Sequence, residues 1–301
     1  MKNLNRIIFI IVITLTGVGI YSNSTDCSFH LDDFNNIVYN EAIQDISDFE
    51  SWWNYSKERP VSMFTFVLNY HYHQLDVKYY HYVNILIHII NALLIFWLVL
   101  LILKAPGIQA YSVVQYRNTL AFLVALLFIT HPLATQSVTY IIQRQNLMAT
   151  LFFLLSLIFY IKGRLKKKKV QYLWYLLCLI IAVPAFLSKE NAYTLPFIII
   201  LTEVILLRKK QLKIKLTDYR FITAILIFAG VIALLLFKFS FSIFQPIPAD
   251  HSMGSDVTIT PLNYLFTQFS VLVKYIQLLI FPVSQNLDYH FPISESFFEI
   301  S

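Results

Sequence analysis

Two adjacent aspartates, Asp32 and Asp33, are the first residues in the chain whose types could support acid–base chemistry. They follow an apolar N-terminal stretch, within the segment 29–34. In an extended chain, neighbouring side chains point to opposite sides, so the two carboxylates are not expected to act as one symmetric pair. One could serve as a general base or a metal ligand while the other orients the loop. A solvated acidic turn without function is the alternative.

Two basic residues are candidates for contacting an anionic group. Arg144 lies at the start of an apolar stretch, and its guanidinium suits bidentate contact with a phosphate. The alternative is an interfacial arginine whose charged end reaches the lipid headgroups. Lys189 and Glu190 lie in a short turn between two apolar stretches, which indicates an anion contact and its orienting partner. The alternative there is a local ion pair, which would contribute little stability.

Other polar residues could support such a site. His81 opens a set of four polar residues, the others being Asn84, His88 and Asn91, whose spacings of three, four and three place them on one helix stripe. Hydrogen bonding between helices is the alternative reading of this stripe. His131 ends another apolar stretch, and Arg59 could pair locally with an acid. The two cysteines predict neither a disulfide framework nor a metal site.

Composition identifies the elements that must position these side chains. The chain of 301 residues is 57% hydrophobic and 13% charged, whereas soluble domains carry about 25% charge. Several apolar stretches are long enough for a helix to cross about 30 Å of hydrocarbon. Backbone groups in lipid must bond within their own segment, so these stretches should be helices. We therefore predict an all-α, polytopic transmembrane helix bundle with a long first loop carrying short helices. The predicted spans are about 7–21, 79–103, 112–130, 146–162, 170–187, 191–207 and 219–239.

The segment 262–281 differs from these spans because polar residues recur along it at helical spacing. Thr267, Ser270, Lys274 and Gln277 form one stripe on an otherwise apolar helix. This pattern favours an interfacial or cavity-lining helix. We expect residues 1–301 to form a single transmembrane domain, and we expect the sequence to be a truncated part of a longer protein.

Charge predicts the orientation of the bundle. Basic residues cluster in the loops 162–169 and 208–215, which should be cytoplasmic by the positive-inside rule. The loop 22–78 holds nine acidic residues against three basic ones and should lie outside. The lysine runs therefore predict topology and no nucleic-acid partner. With six glycines and no Walker or dinucleotide-binding motif, most nucleotide cradles are excluded, which favours a lipid-borne substrate.

Taken in order, the polar segments resemble the membrane portion of the GT-C-type glycosyltransferases. The closest similarity is to the transmembrane and tetratricopeptide-repeat O-mannosyltransferase family and its bacterial relatives. The matching segments include Leu31-Asp32-Asp33, Arg59-Pro60-Val61, Tyr80-His81-Tyr82-Val83-Asn84, His131-Pro132 with Gln143-Arg144, Ser188-Lys189-Glu190, and Thr267-Gln268-Phe269 with Gln285-Asn286-Leu287-Asp288-Tyr289. The resemblance extends over nearly the whole chain, which departs from the family in having no tetratricopeptide repeat.

The resemblance implies inverting transfer of a sugar, such as mannose, from a polyprenyl- or dolichyl-phosphate donor to a protein or glycan acceptor. It makes Asp33 or Asp32 the general base. Arg144 and Lys189 would bind the donor phosphate, and the supporting residues would be His131, Glu190, His81 and Arg59. The resemblance implies no required cofactor, and it does not decide whether a divalent metal ion is needed.

The same resemblance implies a multi-pass protein in the lipid of a bacterial plasma (inner) membrane, with its active site facing the outside or periplasm. A non-catalytic membrane scaffold and a lipid-linked-sugar transporter or flippase are the alternatives. A transporter would be expected to have helices broken near mid-span. The polar segments lie instead at the ends of the apolar stretches, and Pro184 is the one feature that favours this alternative.

Overall fold

A computed structural model of the chain describes residues 2–166, 169–207, 260–287, 289, 291–294 and 296. Contacts group these residues into two compact units: those up to Leu207 belong to the first, and those from Thr260 onward belong to the second. Helices dominate the described residues, which contain no β-strand, so the predicted all-α class is confirmed. The predicted span at 219–239 and the basic loop 208–215 lie outside the described residues.

Ten α-helices are present in the described part of the chain. They are α1 (Lys2–Tyr21), α2 (Phe49–Tyr55), α3 (Pro60–His73), α4 (Val77–Ile102), α5 (Arg117–Thr130), α6 (Ala134–Thr139), α7 (Arg144–Leu165), α8 (Val170–Phe186), α9 (Leu195–Thr202) and α10 (Pro261–Ile280). Five helical stretches are long and apolar enough to cross a membrane: Leu4–Asp26, Val77–Ile102, Ser112–Thr130, Ile141–Leu165 and Glu190–Leu207. Helix α8 is equally apolar but shorter. The chain is therefore a multi-pass membrane protein.

Helix α4 is the central element of the first unit, and it packs against α1, α5 and α7. It is apolar apart from the polar stripe that begins at His81, and this stripe is buried, as is typical of a membrane helix packed among other helices. Gly17 of α1 allows close packing here. A Cβ at this position would lie 2.6 Å from Ile129 and 2.7 Å from Ile89 side-chain atoms, so only glycine lets α1 approach α4 and α5 this closely.

Helices α7 and α8 form a hairpin whose connecting turn includes Lys166 and Lys169. Near this turn, the Lys162 ammonium lies 3.8 Å from the ring centroid of Trp97 and 4.4 Å from that of Trp174. Arg164 donates two hydrogen bonds of 2.6 Å to Glu203. These contacts hold together α4, α7, α8 and Glu203, which directly follows α9. They lie at the end of the bundle opposite the first loop.

The first loop contains short helices, as predicted, and has a small core of its own. Helix α2 begins at Asp48, whose side chain accepts a hydrogen bond from the Ser51 N–H, and α3 begins with a proline. Proline suits the first turn of a helix because the N–H it lacks would have no partner there. The core packs the loop onto the start of α4 and onto the segment 140–142. Its members include Ile37, Ile43, Trp52, Met63, Phe66, Tyr80, Tyr140 and Ile141.

The second unit contains α10, which confirms a helix over the predicted segment 262–281. The Thr260 side chain caps it by accepting from the Asn263 N–H at 3.2 Å. Thr267, a member of the predicted polar stripe, donates to the Asn263 carbonyl at 2.8 Å and accepts from the Ser294 N–H at 3.0 Å. An interfacial or cavity-lining position for α10 stays a prediction.

Candidate active site

Asp33 is buried and holds the first loop against the start of the α7 segment. Its Oδ1 accepts from the Ile142 N–H at 2.7 Å, and its Oδ2 accepts from the His30 N–H at 3.0 Å. The turn from His30 to Asp33 includes Leu31, which adopts a positive φ of 44°. Burial raises the pKa of Asp33 from its ordinary value, and the two backbone donors oppose that rise. With both oxygens bonded to backbone, Asp33 is well placed to fix the loop.

Asp32 occupies a different environment, although it is the next residue in the sequence. It is exposed, and its backbone N–H donates to the Tyr140 hydroxyl at 3.0 Å. Tyr140 is buried beneath it, and burial raises the pKa of this phenol. The two aspartates therefore divide, with one carboxylate inside the protein and one open to solvent, although they lie in a helical turn and not in the extended chain that the sequence analysis assumed.

Lys189 lies between α8 and α9, and its ammonium donates to Gln143 Oε1 at 3.0 Å. Asn146 donates to the same oxygen at 2.6 Å. Burial lowers the pKa of Lys189 from its ordinary value, and the nearby Arg59 charge lowers it further, while Glu190 opposes the shift. The only hydrogen bond that the structure describes for this ammonium is to a neutral amide, so its charge is not neutralised by direct contact.

Arg59 pairs with a distant acid and not with a local one. Its Nε donates to Glu190 Oε1 at 2.9 Å across 131 positions of sequence, and its Nη1 donates to Gln145 Oε1 at 2.7 Å. Each side chain of the ion pair is about one-third exposed, at 34% for Arg59 and 33% for Glu190. The partner of Glu190 is thus Arg59, where the sequence reading had allowed a local pair with Lys189.

Arg144 is fully enclosed by protein. Its Nε donates to Asn84 Oδ1 at 2.7 Å and its Nη2 donates to the Tyr80 carbonyl at 3.0 Å. Its Nη1 donates to the Thr65 carbonyl at 3.2 Å, and its guanidinium carbon lies 4.4 Å from the centroid of the Phe66 ring. A direct phosphate contact for Arg144 stays a prediction. In this structure the side chain joins α3, α4 and α7.

The polar stripe on α4 makes contacts of the interhelical kind. Asn84 donates to the carbonyls of Val138 and Ile141 at 3.1 and 3.3 Å, and Asn91 donates to the Leu147 carbonyl at 3.0 Å. His81, also buried, lies with its Nε2 3.1 Å from the Cys27 carbonyl oxygen. The stripe therefore anchors the first loop and the segment 138–147 to α4.

His131 belongs to the turn that joins α5 to α6. Its Nδ1 accepts from the Leu133 N–H at 3.2 Å, and its carbonyl accepts from the Ala134 N–H at 2.9 Å. This turn leads into the segment 140–146. A role for His131 or His81 in catalysis stays a prediction.

The segment 140–146 brings together most of the predicted residues. Asp33 and Asp32 bond to its first half, Lys189 and Arg59 bond to its glutamines, and Arg144 is part of it. Sequence reasoning gave no role to Tyr140, Gln143 or Gln145. The sequence did carry a signal for the two glutamines. They belong to a run of four polar residues, 143–146, at the start of an apolar helix, where side-chain amides need hydrogen-bond partners.

No group of three or more His, Cys, Asp or Glu side chains within the described ranges could hold a metal ion.

Comparison with known proteins identifies relatives over part of the chain. No family model matches it, and no solved structure is similar to it. Protein O-mannosyl-transferase Tmtc3 of Drosophila melanogaster is 32% identical over 164 residues, covering 48% of this chain and 18% of the relative. Protein O-mannosyl-transferase TMTC4 of Homo sapiens is 28% identical over 209 residues, covering 61% and 27%. Protein O-mannosyl-transferase TMTC3 of Mus musculus is 25% identical over 197 residues, covering 61% and 20%.

The matched part thus spans less than a third of the length of each of these relatives. The relatives are animal proteins and give no support to the expected bacterial membrane. They do confirm the resemblance that the ordered polar segments predicted: the chain is similar in sequence to the TMTC protein O-mannosyl-transferases.

Proposed function

We propose that this chain is the membrane portion of a GT-C-type glycosyltransferase. It transfers a sugar, mannose by similarity to its relatives, from a polyprenyl- or dolichyl-phosphate to a hydroxyl group of a protein or glycan acceptor. The observation that carries the proposal is the segment 140–146, which contacts the backbone of Asp32, whose carboxylate is exposed, and the side chains of two partly buried cations, Lys189 and Arg59. A base and a cationic phosphate site are the two parts that such a transfer needs.

The base in this proposal is Asp32, because its carboxylate is open to an incoming acceptor. As the acceptor oxygen bonds to the anomeric carbon, its proton passes to Asp32. The bond between the anomeric carbon and the phosphate oxygen breaks, and its electron pair leaves with the lipid phosphate. Attack opposite to the leaving group inverts the anomeric centre. Asp33 takes the orienting role, since two backbone N–H groups already occupy its oxygens.

The leaving phosphate gains negative charge, and Lys189 and Arg59 are the cations proposed to stabilise it. Both are accessible, whereas Arg144 is not. Glu190 neutralises one positive charge of this group, so one remains. A preorganised charge of this kind stabilises a developing oxyanion without reorganisation during the reaction. Arg144 acts as a positioning residue, because Gln143 and Gln145 on either side of it bond Lys189 and Arg59.

The orientation in this proposal places the first loop outside the membrane. The basic turn after α7 lies at the opposite end of the bundle from Asp32, and the positive-inside rule favours a cytoplasmic position for that turn. A donor phosphate held near Arg59 and Lys189 would then lie at the outer interface. Its prenyl chain would remain in the lipid, which explains a membrane bundle as the scaffold.

A transporter of lipid-linked sugars is the second candidate, and Pro184 inside α8 is the feature that favours it. Pro184 removes one backbone hydrogen bond, but it lies in the last turn of α8, whereas transport sites are typically built on helices broken near mid-span.

One experiment separates these functions. Membranes holding the full chain are incubated with radiolabelled dolichyl-phosphate-mannose and a peptide rich in Ser and Thr. We expect labelled peptide, and none above background with Asp32→Asn. Donor that crosses sealed vesicles equally with both proteins, without any labelled peptide, would contradict transfer and favour transport.

A further inference from the structure

The first loop presents stacked aromatic side chains to solvent. On α2, Phe49 is 57% exposed and Trp53 is 38% exposed, with ring centroids 5.4 Å apart and planes 23° from parallel. In the neighbouring turn, Phe34 and Tyr39 stack at 5.8 Å, and Tyr39 is 70% exposed. We name these four residues the aromatic face.

The aromatic face adjoins the proposed base. The Tyr55 hydroxyl at the end of α2 donates to the Asn35 carbonyl at 3.2 Å, which joins α2 to the turn that carries Phe34. Asn36 in that turn donates through Nδ2 to the Asp32 carbonyl at 2.8 Å. Asp32 therefore lies in the same turn as Phe34, two residues before it, and its exposed carboxylate belongs to the same part of the first loop as the aromatic face.

The backbone beneath the aromatic face is firmly held. Trp52, the residue next to Trp53, is buried and packs against the Phe49 ring at 4.8 Å and against Phe64 at 5.4 Å between ring centroids. Asp48 caps the same helix. Rigid aromatic side chains on a fixed scaffold provide contact area at low cost in conformational entropy.

Charge indicates which partner the aromatic face fits. Segment 31–58 exposes six carboxylates and one ammonium group, so its surface is strongly negative. The acids are Asp32, Glu41, Asp45, Asp48, Glu50 and Glu58, and the base is Lys57. Asp48 and Glu50 flank Phe49 directly, and inserting Phe49 among lipid headgroups would bring both carboxylates against phosphates. A positively charged partner meets no such repulsion, and its cations can also lie over aromatic rings.

We propose that the aromatic face docks the acceptor of the transfer reaction, and that this acceptor is an extended, basic peptide segment bearing hydroxyl side chains. The assignment rests on the proposed function, because it places the peptide next to Asp32 as the base. Aromatic contacts supply affinity, and the carboxylates select for lysine and arginine. Peptides of negative charge are excluded by repulsion.

The test measures peptide binding without any sugar donor, on the full chain in phosphatidylcholine nanodiscs. The probe is a short fluorescein-labelled peptide of alternating Lys and Thr, and its counterpart replaces Lys with Glu. Fluorescence anisotropy gives the Kd. We expect binding of the Lys peptide only, weakened by salt, and about tenfold weaker binding for the double variant Phe49→Ala/Trp53→Ala.

Two controls keep the result interpretable. Tyr72→Ala removes an aromatic ring that is more exposed than Phe49 or Trp53 but lies on α3, and it should leave the Kd unchanged. If the double variant folds poorly, Glu41→Gln/Glu50→Gln alters only exposed side chains and should still weaken binding of the Lys peptide.

Unchanged binding in both double variants, or equal binding of the Glu peptide, would overturn the docking proposal while leaving the transferase proposal intact. Quenching of a fluorophore on Trp53→Cys by spin-labelled lipid in the nanodisc, with peptide binding retained in Phe49→Ala/Trp53→Ala, would overturn it too and make the face a membrane contact. Peptide binding that depends on the aromatic face, in a chain that transfers no sugar, would uphold docking and refute the proposed function.

Discussion

The guanidinium of Arg144 donates to Asn84 Oδ1 at 2.7 Å, and both side chains are wholly buried. Asn84 uses its own amide to hold the carbonyls of Val138 and Ile141. Arg144 and Asn84 therefore connect α4 to both ends of the segment 138–141, which precedes Gln143. A buried charge is tolerated here because carbonyls, an amide oxygen and aromatic rings surround it.

A double-mutant cycle should show that Arg144 and Asn84 act as a unit. Arg144→Ala leaves a cavity and an unpaired amide oxygen, and we expect a loss of about 2–5 kcal/mol in the free energy of unfolding. Asn84→Ala should also destabilise, and the double variant should cost less than the sum, with a coupling of about 0.5–3 kcal/mol. Unfolding in a mild detergent, followed by denaturant titration, measures all three.

The control for that cycle is donor affinity. If Arg144 bound phosphate directly, Arg144→Lys would keep much of the affinity for dolichyl-phosphate-mannose, because the charge would remain. If it is a positioning residue, Arg144→Lys should lose stability and donor affinity together, because one ammonium cannot replace a guanidinium that bonds three groups at once. A stable Arg144→Lys protein that keeps most of its affinity for the donor would restore the phosphate role.

The two aspartates should respond differently to the same change. Asp32→Asn should lower the rate of transfer by about 10²–10⁴-fold with little effect on stability, since an exposed amide cannot accept the proton. Asp33→Asn should lower stability by about 1–3 kcal/mol, because the amide can accept through only one of its two polar atoms. Transfer rates and thermal melting of both variants decide the assignment. Normal transfer by Asp32→Asn, with none by Asp33→Asn, would reverse it.

The helices of this chain could be predicted from the sequence because lipid leaves the backbone no other partner than itself. Asp32, Asp33 and Lys189 could be singled out because polar side chains beside apolar stretches are costly in a membrane. The pairing of Arg59 with Glu190 could not, since 131 positions separate them and only the packing of α3 on the turn before α9 brings them together. The burial of Arg144 also depends on α3, whose Phe66 ring covers its guanidinium. A polar residue at the start of a helix looks alike in sequence whether it faces solvent or core.

Cysteine labelling of intact cells should establish the topology. In a Cys27→Ser background, Asn54→Cys on the first loop should react with a membrane-impermeant maleimide. Lys169→Cys, in the basic turn before α8, should react only after the membrane is permeabilised. Both positions are exposed, so a difference in reactivity reports the side of the membrane. Labelling of Lys169→Cys alone in intact cells would invert the orientation and remove the outer location proposed for Asp32.

Transfer should fail at alkaline pH when Lys189 loses its proton. Burial and the Arg59 charge lower the pKa of Lys189, so the ammonium is present below that lowered pKa and is lost as pH rises through it. If this ammonium binds the donor phosphate, kcat/KM should fall on the alkaline side, because kcat/KM reports the ionisations of the free enzyme. Lys189→Arg keeps a charge that does not titrate in this range, so it should retain part of the activity and lose the alkaline decline.

Gln143→Leu is the matched structural control. It removes the acceptor of the Lys189 ammonium, so it should raise the KM for the donor while the alkaline decline in kcat/KM remains. An alkaline decline that persists unchanged in Lys189→Arg would assign the titration to another group and leave Lys189 without a demonstrated role at the phosphate.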